Sequence, residues 1–193
     1  MSGASHPFRL RNPGSREVNN LDVREISLTA VIAALYAALV VVLAPISFGP
    51  VQLRVADCLI PLAALLGWPA ILGVSLGVFL GNTYFMLGIV DVVGGTVANL
   101  VAASLIFYLR RRLLLACVAG SAAIGGIVGG YLWIYFPPPD IVGLNLPVWA
   151  AMMASITISS VIAVAVIGYL LVKALSEKTL VEALESRGLR TYL

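Results

Sequence analysis

Long apolar runs recur along this sequence, and they constrain its fold more than any other feature. A helix needs about 20 apolar residues to cross the hydrocarbon core of a bilayer, or fewer where a broken segment is enclosed by protein. Polar or Gly/Pro-containing breaks separate one run from the next. The sequence therefore predicts an all-α integral membrane protein, a six-helix bundle with transmembrane segments at about 26–43, 55–66, 70–87, 91–110, 113–136 and 147–172.

The composition favours lipid rather than water as the solvent of these runs. Of the 193 residues, 61% are hydrophobic and only 11% are charged, whereas a soluble domain of this length needs far more polar surface. The net charge of +3 does not indicate nucleic-acid binding, because the basic residues lie mostly near the ends and in one short loop. Cys58 and Cys117 lie inside apolar runs, so we interpret both as packing residues rather than as a disulfide.

Polar segments flank the predicted transmembrane domain, which covers residues 26–175. Residues 1–25 contain four arginines and predict a cytosolic tail. Residues 176–193 alternate charged side chains with leucine and valine at roughly helical spacing. This pattern favours an amphipathic segment on the membrane or against a partner, although a solvated extension of the last span fits it equally well.

The distribution of basic residues predicts the orientation. With six spans and a cytosolic N-terminus, all but one of the twelve Lys and Arg residues fall on the cytosolic side, and Arg54 is the exception. Lys and Arg concentrate in cytoplasmic loops of membrane proteins. We therefore expect a multi-pass protein of the plasma membrane with both termini in the cytoplasm.

The sequence does not predict an enzyme, a cofactor or a metal site. The single histidine is His6, in the N-terminal tail, so neither a Ser-His dyad nor an H-E-x-x-H zinc site can form within the spans. A G-x-x-x-x-G-K-[ST] phosphate loop is also absent from the sequence. If the chain takes part in ATP-driven transport, another subunit must bind the nucleotide.

Charged and polar residues instead collect toward the predicted outer side of the membrane. Arg54 and Asp57 have the spacing of neighbours on a helix face, which fits either an interfacial ion pair or a pair facing a ligand. Asp91 could cap its helix, and tryptophans at this level could form an aromatic belt. As a set, the residues suit a planar, hydrogen-bonding heterocycle. The candidate ligand-binding residues of the spans and last outer loop are Arg54, Asp57, Asn82, Asp91, Asn99, Trp133, Asn145 and Trp149.

Small residues form stripes along several spans. Ala30, Ala34 and Ala38 follow one another at i,i+4 spacing in the first span. Glycines do the same in the third span (73, 77, 81) and in two rows of the fifth (125, 129 and 126, 130). Such stripes let helices approach closely in lipid. They predict internal packing, but the alanine stripe could instead be a docking face for another membrane subunit.

Three stretches carry a resemblance to a known family. They are LAPISFGPVQLRVADCL (residues 43–59), the Gly81-Asn82 pair, and DVVGGTVANLVAA from Asp91 onward. Over about residues 25–175 the chain resembles the queuosine-precursor transporter (QueT) family, whose members are substrate-binding S components of energy-coupling factor (ECF) transporters. Asp57 stands where the family pattern has glutamate, a longer acid.

The resemblance implies an outward-facing pocket covered by the loop after the first helix. It also implies that the alanine stripe docks on a transmembrane coupling subunit, with two ABC ATPase subunits driving transport. The expected ligand is a 7-deazaguanine such as preQ0 or preQ1. Phe48 would stack on the ring, Asp57 or Asp91 would accept its donors, and Gln52 or Asn82 would contact a remaining edge. Another vitamin-like heterocycle and a stand-alone secondary transporter are the alternatives.

The orientation can be tested by cysteine labelling in a background without Cys58 and Cys117. A membrane-impermeant maleimide added from outside is expected to label Asp140→Cys and to leave Arg111→Cys unmodified until the cells are opened. The reverse pattern would contradict the predicted topology and the position of the pocket.

Overall fold

A computed structural model describes residues 17–47, 53–137, 146–186 and 188–193, with side chains from Val23 onward. All regular secondary structure in these ranges is helical, which confirms the predicted all-α membrane fold. The α-helices are α1 (Glu17–Val42), α2 (Ala44–Ser47), α3 (Leu62–Leu66), α4 (Trp68–Phe85), α5 (Ile89–Tyr108), α6 (Leu113–Leu132), α7 (Val148–Ser160), α8 (Tyr169–Leu175) and α9 (Lys178–Ser186). Two 3-10 helices (Val55–Leu59 and Arg110–Arg112) and a π-helix (Val161–Gly168) complete the described elements.

Within the described residues, five segments are long and apolar enough to cross a membrane: Val23–Val42, Trp68–Phe85, Ile89–Tyr108, Arg110–Leu132 and Val148–Leu175. The predicted second span corresponds to Val55–Leu66, a shorter apolar segment made of a 3-10 helix and α3. Its side chains from Ala56 to Leu66 are buried. A short, broken segment is tolerated at membrane depth where protein surrounds it. The six-span count itself stays a prediction.

The glycine stripe of α4 packs against α1. A Cβ atom on Gly73 would lie 2.8 Å from Cβ of Ile32, and one on Gly81 would lie 2.9 Å from Cγ1 of Val40. The order of these contacts shows that α1 and α4 run parallel. The segment between them, Val55–Leu66, therefore returns the chain through the bundle. Glycine is needed along this stripe because only its lack of a side chain permits the approach.

The predicted glycine stripes of α6 differ from each other. Cβ atoms on Gly125 and Gly129 would collide with the backbone of Thr157 and Met153 on α7, so this row forms the α6–α7 contact. Gly126 and Gly130 have no atom within 4 Å of such a Cβ and do not serve helix packing. The small-residue pattern predicted both rows as packing stripes, but only the row of Gly125 and Gly129 packs against another of the described helices.

The segment Val55–Leu66 also packs against the π-helix of the last span. A Cβ on Gly168 would lie 2.7 Å from Cγ of Pro61 and 2.8 Å from the carbonyl oxygen of Cys58. Cys58 and Cys117 are both buried free thiols, in agreement with their prediction as packing residues. Two non-α segments therefore meet inside the bundle.

The C-terminal residues fold back onto one end of the bundle. The Tyr192 amide donates to the carbonyl oxygen of Leu65 at 3.0 Å, at the end of α3. The Tyr192 ring packs edge-to-face on Phe107 at 5.3 Å and lies against Gly67, where a Cβ would approach it to 2.6 Å. The Arg110 Nε donates to the Tyr192 carbonyl oxygen at 3.3 Å. This segment thus closes the end of the bundle where α3 meets α4.

The glycine contact of α1 and α4 can be tested by adding one methyl group. Gly73→Ala is expected to lower the melting temperature in detergent, because its Cβ would also lie 3.0 Å from the backbone oxygen of Thr29. Overpacking costs about 1–3 kcal/mol and exceeds the gain in helix propensity of about 1 kcal/mol. Gly126→Ala, which meets nothing within 4 Å, is the matched control and should be neutral or stabilising. Equal melting temperatures for the two variants would contradict the packing.

Candidate ligand-binding site

A cluster of polar side chains is buried inside this apolar bundle. Tyr36, Asp57, Asn82, Asp91 and Asn99 are each at most 3% exposed. Polar and ionisable groups at membrane depth are costly, and they usually line a ligand or ion site. The cluster joins four elements, namely α1, the 3-10 helix that begins at Val55, α4 and α5. We call Tyr36, Asp57 and Asn99 its inner half and Asn82 and Asp91 its outer half.

The inner half is a hydrogen-bonded chain of three residues. The Asn99 Nδ2 of α5 donates to the Tyr36 hydroxyl oxygen of α1 at 2.9 Å. The Tyr36 hydroxyl in turn donates to Asp57 Oδ1. Asp57 lies in the first turn of the 3-10 helix. Helices that are distant in sequence thus hold the carboxylate of Asp57.

The outer half is built around Asp91 in the first turn of α5. The Tyr131 hydroxyl of α6 donates to Asp91 Oδ1 at 3.1 Å, and Asn82 Nδ2 of α4 donates to the Asp91 backbone oxygen at 3.0 Å. No side-chain cap bond is present at this end of α5, and the Asp91 carboxylate lies in the first turn, where the helix dipole favours a negative charge. Among the described residues, the Asp91 Oδ2 and Asn82 Oδ1 atoms are buried without a hydrogen-bond partner. The outer half therefore offers two free acceptors.

Arg54 interacts electrostatically with both halves. Its guanidinium acts on the charges of Asp57 and Asp91. A Cβ on Gly95 would lie 2.6 Å from Asn82 Nδ2 and 3.8 Å from an Arg54 guanidinium nitrogen, so Gly95 leaves room for both groups. Arg54 precedes the 3-10 helix with non-helical backbone angles. The Asp57 amide donates to the Arg54 carbonyl oxygen at 3.0 Å, so a 3-10 turn rather than an α-helical turn joins the two residues, and both line the same cavity.

A small cavity lies beside the inner half of the cluster. Its volume is about 20 Å³, which is room for about one water molecule. Arg54, Asp57, Asn99 and Ser160 form its polar lining, and Ile124, Val128 and Ile156 form its apolar lining. A flat ring would require these walls to separate, because pockets for small organic ligands measure about 300 Å³ or more.

The structure brings together only part of the predicted site. Arg54, Asp57, Asn82, Asp91 and Asn99 converge, whereas Trp133 and Trp149 point outward and are 42% and 54% exposed. The Trp133 Nε1 donates to the carbonyl oxygen of Gly130 on its own helix. Phe48, Gln52 and Asn145, together with most of the predicted covering loop, lie outside the described residues.

Three residues of the site were missed by the sequence analysis. Tyr36 and Tyr131 hold the two carboxylates, and Ser160 lines the cavity. Tyr36 has a signal in the sequence, since it carries the one phenol in an Ala/Leu/Val run. Tyr131 and Ser160 lie among other aromatic and small polar residues, so their positions alone do not distinguish them.

The alanine stripe lies on the opposite side of α1 from the cluster. Ala30, Ala34 and Ala38 are all exposed, whereas Tyr36, two residues from Ala34 and Ala38, is fully buried. A shift of two residues turns a helix by about 200°. One face of α1 therefore contacts the polar cluster, and the other is available to lipid or to a partner.

The apolar helices define a multi-pass membrane protein, and the polar cluster is buried within its bundle. The family model described as QueT transporter matches residues 26–177. The chain therefore belongs to the QueT transporter family, as its motifs had indicated. Searches of curated proteins and of solved structures returned no match. The family assignment supports a role for the chain in membrane transport.

Proposed function

We propose that the chain is the substrate-binding subunit of an ATP-driven ECF importer and that it captures a 7-deazaguanine, such as preQ0 or preQ1, from outside the cell. Its membership of the QueT family supports transport. We infer the class of ligand from two buried acceptor atoms that lack a hydrogen-bond partner, Asp91 Oδ2 and Asn82 Oδ1. A buried acceptor without a donor costs about 1–3 kcal/mol, and more when it is charged.

A deazaguanine edge supplies the missing donors. Its ring N–H and exocyclic amine point in the same direction, and a carboxylate can accept two such parallel bonds. Arg54 interacts electrostatically with this carboxylate, so a positive charge lies near the two acceptors. Asn82 fits a second contact, because its Nδ2 is already bound to the Asp91 backbone and its Oδ1 must accept.

The energy for import would come from other subunits. The sequence contains no phosphate loop, so ATP hydrolysis has to be coupled through a partner. The exposed Ala30, Ala34 and Ala38 offer a smooth helix face for a transmembrane coupling subunit, with two ABC ATPases beneath it.

A stand-alone secondary transporter is the second candidate. Asp57 favours it, because this carboxylate lies inside the bundle against Tyr36, and buried acids are common in ion-coupled transporters. Uptake by vesicles that contain the chain alone, driven by an ion gradient, would support this candidate. Uptake that requires ATP and the partner subunits would support the ECF importer.

Ligand recognition can be tested by isothermal titration of the purified protein with preQ0. Asp91→Asn is expected to weaken binding about 30-fold to several-thousand-fold, because removing one partner of a buried charged contact costs about 2–5 kcal/mol. Asp57→Asn tests the inner carboxylate in the same way. Trp149→Phe is the control and should bind normally. Near-normal affinity in both folded aspartate variants would contradict the proposed site.

Docking can be tested separately from binding. In cells that contain the coupling subunit and both ATPases, Ala34→Trp is expected to abolish ATP-driven uptake, since its side chain fills the exposed face of α1. Titration of the same variant with preQ0 should give a normal affinity. Val118→Trp, on the exposed face of α6, is the matched control and should still support uptake. Undiminished uptake by Ala34→Trp would leave the stripe without a docking role.

A further inference from the structure

Tyr36 occupies the point at which α1 meets the candidate binding site. Its side chain is fully buried, and a Cβ on Gly77 of α4 would lie 2.6 Å from the Tyr36 Cβ. The other buried residues that the structure describes on α1, Ile32, Ala33 and Val40, are apolar. The phenol is therefore the polar group through which the buried face of α1 reaches the site.

Donor and acceptor chemistry fixes the direction of the hydrogen bonds at this phenol. The Asn99 Nδ2 can only donate, so the Tyr36 oxygen accepts from it at 2.9 Å. The single hydroxyl proton of Tyr36 is then directed to Asp57 Oδ1. The chain Asn99–Tyr36–Asp57 has one direction and ends on a carboxylate that lines the cavity.

We propose that Tyr36 is a positioning residue for ligand binding: its hydroxyl sets the orientation of the Asp57 carboxylate at the cavity and ties that carboxylate to α1. The inference rests on the proposed function for its ligand, but the hydrogen bond that it invokes can be measured without one. Pre-orienting a binding group lowers the ordering cost of binding. Loss of the hydroxyl removes one of the contacts on the Asp57 carboxylate, while Arg54 and Asn99 still act on it.

The first test uses the purified chain without ligand. Infrared difference spectra identify the carboxyl band of Asp57 as the band that Asp57→Asn removes. Tyr36→Phe, which keeps the ring against Gly77, is expected to shift this band. Tyr169→Phe, on α8 and outside the cavity lining, should leave it unchanged. Asn99→Ala removes both the donor to the phenol and a group that acts on Asp57 itself, so it should also shift the band. An unshifted Asp57 band in folded Tyr36→Phe would overturn the proposal.

The second test is a double-mutant cycle in preQ0 affinity. Tyr36→Phe is expected to weaken binding about 10- to 100-fold, since the lost bond is made to a charged group. In the Asp57→Asn background the same change should have almost no further effect, because Tyr36 acts through Asp57. Equal losses in both backgrounds would show that Tyr36 acts by packing alone and would overturn the proposal.

The two tests separate this inference from the proposed function. If the wild-type protein does not bind preQ0, the proposed ligand is wrong, and the infrared band still decides whether Tyr36 orients Asp57. If preQ0 binds and Tyr36→Phe has normal affinity, the proposed ligand stands and the positioning role of Tyr36 is overturned.

Discussion

The structure depends on one requirement of the bilayer: polar groups inside the bundle must find partners within the protein. Water is absent from the hydrocarbon core, and an unsatisfied polar group there costs several kcal/mol. Two phenol–carboxylate contacts meet most of this requirement, Tyr36 with Asp57 and Tyr131 with Asp91. Two acceptors beside Arg54, on Asn82 and Asp91, are left over. These contacts therefore constrain the arrangement of α1, α4, α5 and α6.

Glycines make that arrangement possible by setting how closely the helices approach. Gly77 admits the Tyr36 side chain between α1 and α4. Gly95 leaves the space in which the Asn82 amide and the Arg54 guanidinium lie. A methyl group at Gly77 would collide with Tyr36 and with the backbone oxygen of Ala33, and one at Gly95 would collide with the Asn82 amide. Helix packing and the candidate binding site are therefore parts of the same geometry.

The sequence was sufficient for the helices but not for the contacts among them. Long apolar runs predict spans because the bilayer imposes their length, and the short segment Val55–Leu66 was found at its observed bounds. Five of the polar residues that the sequence singled out converge in the structure, and they could be singled out because charged and amide side chains are rare in apolar runs. The role of Tyr36 was not predicted, since a tyrosine in a span is as often a packing or interfacial residue.

Residues with similar patterns in the sequence have different surroundings in the structure. Trp133 and Trp149 are 42% and 54% exposed and lie outside the buried cluster, because the packing partners that set their helix faces are not specified by a sequence pattern. The two glycine rows of α6 are equivalent in sequence, yet α7 covers only Gly125 and Gly129. Which row is covered depends on the rotation of the helix, a property of tertiary structure alone.

The cavity has to enlarge before it can hold a flat ring, and the secondary structure indicates where. Two of its polar residues lie in or beside non-α segments: Asp57 lies in a 3-10 helix, and Ser160 directly precedes the π-helix. The 3-10 helix has poorer hydrogen-bond geometry than an α-helix, and π-helical turns are frequent at functional sites. At the other end of the same segment, the Tyr192 amide holds the Leu65 carbonyl. Expansion of the cavity would thus fall on the Val55–Leu59 end of this segment, while its Leu65 end stays anchored.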